Sequence, residues 1–185
     1  MFKILTALCF FCSIMTYSQE VGKFMDSRDG KTYKTVQIGR QVWMAENLAY
    51  KTKLVCWTFG DRPENLKRYG YLYPWEAAKT ACPDGWRLPS KSDFDSLFII
   101  AKKTDIKIYE FLTRKENNGF SATFGGFREE NGGFINKDYT GIYWSSTKGS
   151  QDTGWHLSID KSSKNVDMQY IDYSSAYSVR CIRVD

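Results

Sequence analysis

Histidine is the scarcest potential catalytic residue in this chain of 185 residues, because His156 is its only occurrence. No Ser or Cys nucleophile motif accompanies His156, and no second histidine is there to build a metal site. Apolar and polar residues alternate over residues 155–160, which is the pattern of a strand with one side in water. His156 takes a polar position of that pattern. We therefore expect a solvated surface histidine rather than a catalytic one.

Long apolar runs are also missing, with one exception at the N-terminus. Residues 4–15 are almost wholly apolar and follow the positively charged Lys3. Thr16-Tyr17-Ser18 then offers small residues at the minus-three and minus-one positions of a cleavage site. This pattern is typical of a signal peptide. We expect residues 1–18 to be removed on export, so that the mature chain begins at Gln19.

Two alternatives to a cleaved signal peptide stay open at this point. A membrane anchor is disfavoured because the apolar run has about twelve residues, whereas a spanning helix needs about twenty. Lipid attachment at Cys9 is disfavoured because the bulky Leu8 directly precedes the cysteine. We expect Cys9 and Cys12 to be lost with the signal peptide, and the mature chain to have no transmembrane span.

The mature chain lacks a strong excess of charge of either sign. Without Lys3, 25 basic residues face 21 acidic ones, for a net charge of +4. The basic residues are scattered, whereas a nucleic-acid-binding protein gathers them into one patch or stripe, so nucleic acid is not an expected partner. The sequence has no repeat period or low-complexity tract. Residues 19–185 have the length of one domain.

The first part of the mature chain predicts a hairpin and then a loop. Residues 32–38 and 41–44 are rich in β-forming residues and flank Gly39-Arg40, whose leading glycine suits a type II′ turn. We expect the domain to open with this strand pair. Residues 51–71 are largely polar, charged or glycine, with no sustained period, so an irregular loop is expected there.

Two helices are expected next. Pro74 suits the first turn of a short, alanine-rich helix. Ser90 and Asp93 form a pair like a capping box, and apolar residues then recur at the spacing of one helical face. This pattern predicts a second helix over Lys91–Lys103. A further short helical turn is expected over residues 108–112.

The rest of the chain is predicted to form strands separated by turns. A turn is expected at Asn131-Gly132-Gly133. The expected strands cover residues 120–122, 124–128, 142–146, 155–160, 166–171 and 177–184. Helices early in the chain and strands late in the chain indicate the α+β class.

Three cysteines remain after removal of the signal peptide: Cys56, Cys82 and Cys181. Exported proteins usually oxidise their cysteines to disulfides, and an odd number leaves one thiol without a partner. The residues alone do not select the pair.

Four short segments occur in fixed order and together resemble one protein family. They are Trp43-Met44-Ala45-Glu46-Asn47-Leu48, Cys82-Pro83-Asp84-Gly85-Trp86-Arg87-Leu88-Pro89-Ser90, Tyr143-Trp144-Ser145-Ser146-Thr147 and Ser178-Val179-Arg180-Cys181-Ile182-Arg183. The set resembles the Fibrobacter succinogenes major paralogous domain, whose sequences are similar to the C-type-lectin-like fold. The resemblance covers nearly the whole mature chain. It implies an early hairpin, two helices and a long antiparallel β-rich region, held by the tryptophans of these segments as framework.

The resemblance also implies which cysteines pair. Members of the family, and lectin-like domains broadly, join a cysteine near the first helix to one in the terminal strand, which here pairs Cys82 with Cys181. Family members also tend to have a second, local pair of cysteines near the position of Cys56. The place of its partner, around Leu66, has no cysteine. Cys56 is therefore expected to be free or buried.

Lectin-like folds display variable loops on a stable frame, which implies a binding role for the late loops. A tyrosine offers a flat apolar face to a sugar ring and a hydroxyl for hydrogen bonds. Adjacent strand residues face opposite ways, so if Trp144 is inside, Tyr143 is outside. The alternative is that tyrosines are simply common on sheet surfaces. The candidate ligand-binding residues are Tyr139, Tyr143, Asp172, Tyr173 and Tyr177.

Calcium-dependent sugar recognition is not expected. Lectins of that kind carry Glu-Pro-Asn or Gln-Pro-Asp and a later Trp-Asn-Asp, and this chain has neither. No stretch matches an EF-hand loop, although scattered loop oxygens leave a weak calcium site open. No metal or cofactor is therefore assigned.

Two classes of function are compatible with these patterns. The first is a secreted or cell-surface, non-enzymatic module that binds a glycan or a protein, with a structural component of a surface complex as its close alternative. The second is an enzyme similar to the formylglycine-generating oxidases, which resemble the same fold. Those enzymes use a cysteine pair near the C-terminus, whereas this chain has only Cys181 there. A binding module is the expected function.

Overall fold

The structure is a computed structural model that describes residues 21–114 and 119–184. The predicted signal peptide, residues 1–18, lies outside this part of the chain. The strands are β1 (Val21–Met25), β2 (Thr32–Ile38), β3 (Gln41–Met44), β4 (Leu72–Pro74), β5 (Trp86–Arg87), β6 (Phe127–Arg128), β7 (Phe134–Ile135), β8 (Thr140–Lys148), β9 (Thr153–Asp160), β10 (Val166–Asp172), β11 (Ala176–Ser178) and β12 (Ile182–Arg183). The helices are α1 (Leu66–Tyr69), α2 (Trp75–Ala81), α3 (Lys91–Lys103) and α4 (Ile108–Thr113). This mixture of helices and strands confirms the α+β class.

Helix α3 has the bounds that its sequence predicts. The hydroxyl of Ser90 accepts a hydrogen bond from the Asp93 backbone N–H at 3.2 Å, and the Asp93 carboxylate accepts one from the Ser90 N–H at 2.6 Å. This reciprocal pair is the predicted capping box. Arg87 of β5 also donates to the Asp93 carboxylate at 2.6 Å. The start of α3 is therefore fixed both by its own residues and by the neighbouring strand.

Strands β2 and β3 form the predicted hairpin, and Ile38 pairs with Gln41 across its two-residue loop. The domain does not open with this pair, because β1 precedes it and pairs antiparallel with β2. Strand β1 is an exposed edge strand without clear alternation, which explains why its sequence gives a weak signal. The order of the smaller sheet is β1-β2-β3-β12-β5.

The loop predicted over residues 51–71 is more ordered than expected. It contains helix α1 and two short 3-10 turns, Phe59–Asp61 and Pro63–Asn65. Each of these elements spans four residues or fewer. Elements this short give no sustained hydrophobic period from which they could be predicted.

The larger sheet has the order β10-β9-β8-β11-β6-β7, and β4 pairs with β11. The predicted last strand, residues 177–184, is instead two strands in different sheets: β11 pairs in parallel with β8, and β12 pairs antiparallel with β3. Between them the chain crosses from one sheet to the other, where Val179 O accepts from the Leu48 N–H at 2.8 Å. Residues 120–122 form no strand, and only Phe127–Arg128 is strand within predicted segment 124–128.

Strand β8 is covered on both faces. Tyr143 and Trp144 point to opposite sides of it, yet each is 0% exposed. Trp144 packs in a cluster with residues of α2, and Tyr143 packs in a second cluster with residues of α3 and α4. The prediction that Tyr143 lies outside when Trp144 lies inside is therefore wrong, because helices cover both sides of the larger sheet.

His156 is also buried, at 4% exposure, so the prediction of a solvated surface histidine is wrong. Its ring lies 5.1 Å from the ring of Tyr177 and 6.1 Å from that of Trp144. Both rings belong to neighbouring strands of the same sheet and lie beside His156 on one of its faces. Burial lowers the pKa of His156 to about 4, against a smaller opposing effect of a hydrogen bond to the Gly154 backbone. The side chain is therefore neutral at pH 7.

Cys82 and Cys181 form the disulfide that the family resemblance implies, with an S–S distance of 2.05 Å. The bond joins the end of α2 to the segment between β11 and β12. Among residues 21–114 and 119–184, Cys56 has no disulfide partner, and its side chain is partly exposed. Its side chain packs against the cluster that contains Trp144, so the predicted free thiol is present but is not fully buried.

Candidate functional site

Two of the predicted ligand-binding tyrosines lie in the interior. Tyr143 is 0% exposed and Tyr177 is 1% exposed. The Tyr143 hydroxyl accepts from the Thr123 N–H at 2.7 Å and donates to the Thr123 carbonyl at 2.8 Å. The Tyr177 ring lies 4.4 Å from the ring of Trp144. Both side chains therefore serve the frame, and neither offers a face to a ligand.

Tyr139 and Tyr173 lie at opposite ends of the larger sheet. The Tyr139 carbonyl accepts from the Lys161 N–H, which follows β9, at 2.9 Å. The Tyr173 N–H donates to the carbonyl of Asp152, in the turn between β8 and β9, at 3.1 Å. The nine residues of β8 separate these two ends, a distance of about 30 Å along a strand. The five predicted residues therefore do not form one site.

Tyr173 stacks on Trp75 at the β8–β9 turn end of the sheet. The two rings lie 4.3 Å apart at an interplanar angle of 15°. A side chain at Gly154 would lie within 2.8 Å of Trp75 and 3.2 Å of Tyr173, so only glycine permits this stack. The neighbouring Asp172 is exposed, but its carboxylate accepts hydrogen bonds from the Ser174 hydroxyl and N–H, which lowers the pKa of Asp172.

A second pair of aromatic residues lies at the same end, on the other face of the sheet. Tyr170 of β10 is 58% exposed, and its ring lies 5.2 Å from that of Trp155 on β9. Lys91 Nζ lies 5.1 Å from the centre of the Trp155 ring. The same ammonium donates to both carboxylate oxygens of Asp95, at 3.0 and 2.9 Å. An aromatic pair, of which Tyr170 is exposed and Trp155 partly exposed, thus adjoins a partly exposed ion pair.

We call Trp155, Tyr170, Lys91 and Asp95, together with Tyr173 on the opposite face, the hairpin-end surface. The sequence did not indicate that Trp155 or Tyr170 contacts a ligand. For Trp155, the alternation of β9 instead predicts a core position. The two residues are direct partners in the β9–β10 register. Only that register shows that they share a face, and it is set by contacts that a single sequence does not reveal.

Arg180 joins three segments of the chain through buried hydrogen bonds. Its side chain is 0% exposed, and its guanidinium donates to the Phe120 carbonyl and to the side-chain oxygen of Asn47. Asn47 in turn donates to the Tyr69 carbonyl at 2.9 Å and to the Ser178 hydroxyl at 3.1 Å. The arginine of the last predicted segment is therefore a framework residue.

A comparison with known protein families identifies the family of this chain. The model of the Fibrobacter succinogenes major domain matches residues 36–183. The chain belongs to the Fibrobacter succinogenes major domain family. No curated protein and no solved structure matches it.

The family segments of this Fibrobacter succinogenes major domain hold the two sheets together. Trp43, Trp86 and Trp144 are all buried. The Trp144 indole N–H donates to the Tyr73 carbonyl at 2.7 Å, and that of Trp43 donates to the Gln41 side chain at 3.2 Å. Satisfied indole donors are what buried tryptophans require. The segments therefore identify the scaffold.

Within residues 21–114 and 119–184 of this family member, no three His, Cys, Asp or Glu side chains lie together as potential ligands of a metal ion. None of the helices in these ranges is both long enough and apolar enough to cross a membrane.

Proposed function

We propose that this chain is an exported, non-enzymatic module that binds a carbohydrate at the cell surface through its hairpin-end surface. One observation carries the proposal: Tyr170, 58% exposed, stands beside the partly exposed Trp155 and the Lys91–Asp95 ion pair. Aromatic rings supply a flat apolar face, and adjacent charged groups supply hydrogen bonds. A sugar ring presents both kinds of surface.

The aromatic side chains of the hairpin-end surface are held by ordered strands, which favours binding of a ligand. Trp155 and Tyr170 are cross-strand partners near the end of the β9–β10 ladder, so a ligand meets side chains whose backbone is already ordered. Tyrosine and tryptophan have few rotatable bonds, which keeps the entropic cost of binding low. Tyr173, stacked on buried Trp75, adds a third rigid ring on the other face of the same end.

Two observations support export. Residues 1–18 have the pattern of a signal peptide. The Cys82–Cys181 disulfide suits an oxidising, extracytoplasmic compartment. The same disulfide argues against chemistry of the formylglycine-generating type, because Cys181 is bonded to Cys82 and is not available as half of a catalytic pair.

An array of neutral and acidic glycans, probed with the purified protein, tests this proposal. We expect binding that Tyr170→Ala reduces. Tyr139→Ala is the matched control, because Tyr139 is equally a surface tyrosine, 64% exposed, at the far end of the same sheet. Thermal unfolding of both variants establishes that each is folded.

Two outcomes would overturn the proposal. Equal binding by the wild type and Tyr170→Ala, with a loss in Tyr139→Ala, would move the site to the opposite end of the sheet. No glycan signal for the wild type would favour the structural component of a surface complex, in which the same aromatic residues contact a protein.

A further inference from the structure

A cleft of about 670 Å³ lies on the side of the molecule that carries the edge of the smaller sheet. Its walls come from β1, β2, the segment after β3, helix α1 and residues 119–123. The hairpin-end surface contributes no residue to it. Sites for small ligands have volumes of roughly 300 to 1,000 Å³, so this cleft has the size of a ligand site.

The walls of the cleft carry mostly positive charge. Lys23 of β1 and Lys34 of β2 are direct cross-strand partners, and both line the cleft. Lys67 and Arg68 line it from α1, and Glu46 is the only carboxylate among its described lining residues. Like charges placed directly opposite each other destabilise a strand pair. An anion between them would remove that repulsion.

Arg180 adds a buried positive charge directly behind the wall. Its guanidinium contacts Asn47 and the carbonyl of Ser121, and both of those residues line the cleft. Within the described part of the chain, no Asp or Glu forms an ion pair with Arg180. Its buried Nε has no hydrogen-bond partner there either. The rings of Phe120 and Tyr143 and the charge of nearby Glu46 act on this guanidinium. Because no carboxylate of the described residues contacts it directly, the buried cation makes the electrostatic potential of the cleft more positive.

One more polar atom of the same wall is buried without a hydrogen-bond partner in the ranges that the structure describes. The buried Oγ1 of Thr123, which lines the cleft, has no hydrogen-bond partner among the described residues. Two of the nearby charges are already engaged: Arg68 pairs with Asp138 at 3.6 Å, and Glu46 accepts from the Lys34 N–H at 2.7 Å. The ammonium groups of Lys23, Lys34 and Lys67 are therefore the donors on which an anion would depend.

We propose that this cleft binds an oxyanion, carried either by an acidic sugar or by a free inorganic ion. The site is separate from the hairpin-end surface, so this inference does not rest on the proposed carbohydrate contact there. Carboxylate, sulfate and phosphate groups share the acceptor chemistry that clustered ammonium groups recognise. The size of the cleft leaves room for a sugar ring behind the anionic group.

Isothermal titration of the purified protein at low ionic strength tests the site with inorganic phosphate, inorganic sulfate, a uronic-acid disaccharide and a neutral disaccharide. The test variant is Lys34→Gln with Lys67→Gln. Its control is Lys102→Gln with Lys103→Gln, because both of those lysines are exposed on α3, neither lines the cleft, and the change in net charge is identical. Melting temperatures without ligand establish that both variants are folded.

We expect at least one oxyanion probe to bind, the neutral disaccharide not to bind, and Lys34→Gln with Lys67→Gln to weaken binding by about tenfold or more. The control pair should bind as the wild type does. Binding of the uronic acid alone identifies a saccharide as the source, and binding of phosphate or sulfate alone identifies a free ion. The proposal is overturned if no oxyanion binds or if both double variants lose affinity equally.

Discussion

The single histidine gives a direct test of the packing on one face of the larger sheet. His156 is 4% exposed against Tyr177 and Trp144, and burial lowers its pKa from 6.5 to about 4. In the unfolded chain the ring is in water and takes up its proton near pH 6.5. As the pH falls below 7, the unfolded state therefore binds a proton that the folded state does not.

The sign and size of the effect follow from linkage. Binding of a proton by the unfolded state alone lowers the free energy of unfolding, so the protein should lose stability as the pH falls from 7 towards 4. For these two pKa values the loss reaches about 2 kcal/mol at pH 5 and about 3 kcal/mol near pH 4. Below pH 4 the folded state also becomes protonated, and the contribution of His156 stops growing.

Urea unfolding at pH 7, 6 and 5 measures this effect, with His156→Gln as the comparison because glutamine is polar and does not titrate in this range. The wild type should lose about 2 kcal/mol more than the variant between pH 7 and pH 5. The interval stops at pH 5 because carboxylates begin to titrate below it. Equal slopes for both proteins would refute the burial of a neutral His156.

Three further perturbations test the frame. Replacing Cys82 and Cys181 by alanine should lower the free energy of unfolding by up to about 4 to 5 kcal/mol, the chain-entropy limit for a loop of this length, as measured by guanidinium unfolding. Asp93→Ala removes one half of the capping box and the partner of Arg87, and should cost about 1 to 3 kcal/mol in the same assay. Alkylation of the unreduced protein should label only Cys56 among residues 21–184, and peptide mapping that finds Cys56 bonded to Cys82 would contradict the assigned disulfide.

Elements with local signals could be predicted from the sequence. Helix α3 starts where Ser90 and Asp93 can cap it, and its apolar face has a clear period, so its bounds need no knowledge of the rest of the chain. The β2–β3 hairpin likewise depends on two short β-forming runs and on Gly39, whose φ of +63° suits glycine. The pairing of Cys82 with Cys181 came from the family resemblance.

Features that depend on distant segments could not be predicted in this way. Alternation in a strand identifies two faces, but it cannot tell whether the polar face is later covered, as happens to His156. Tyr143 and Trp144 are both buried because different helices cover the two sides of β8. The candidate binding pair, Trp155 and Tyr170, meets only through the β9–β10 register, which the sequence of either strand leaves open.

The most direct test of the proposed carbohydrate site compares two single variants by affinity electrophoresis in gels that contain the polysaccharides recognised on the array. Tyr170→Ala should migrate faster than the wild type in such a gel, because retention by the polysaccharide is weakened, and the two should migrate alike in a gel without polysaccharide. Tyr139→Ala should be retained like the wild type. Undiminished retention of Tyr170→Ala, or a loss of retention in Tyr139→Ala alone, would contradict binding at the hairpin-end surface.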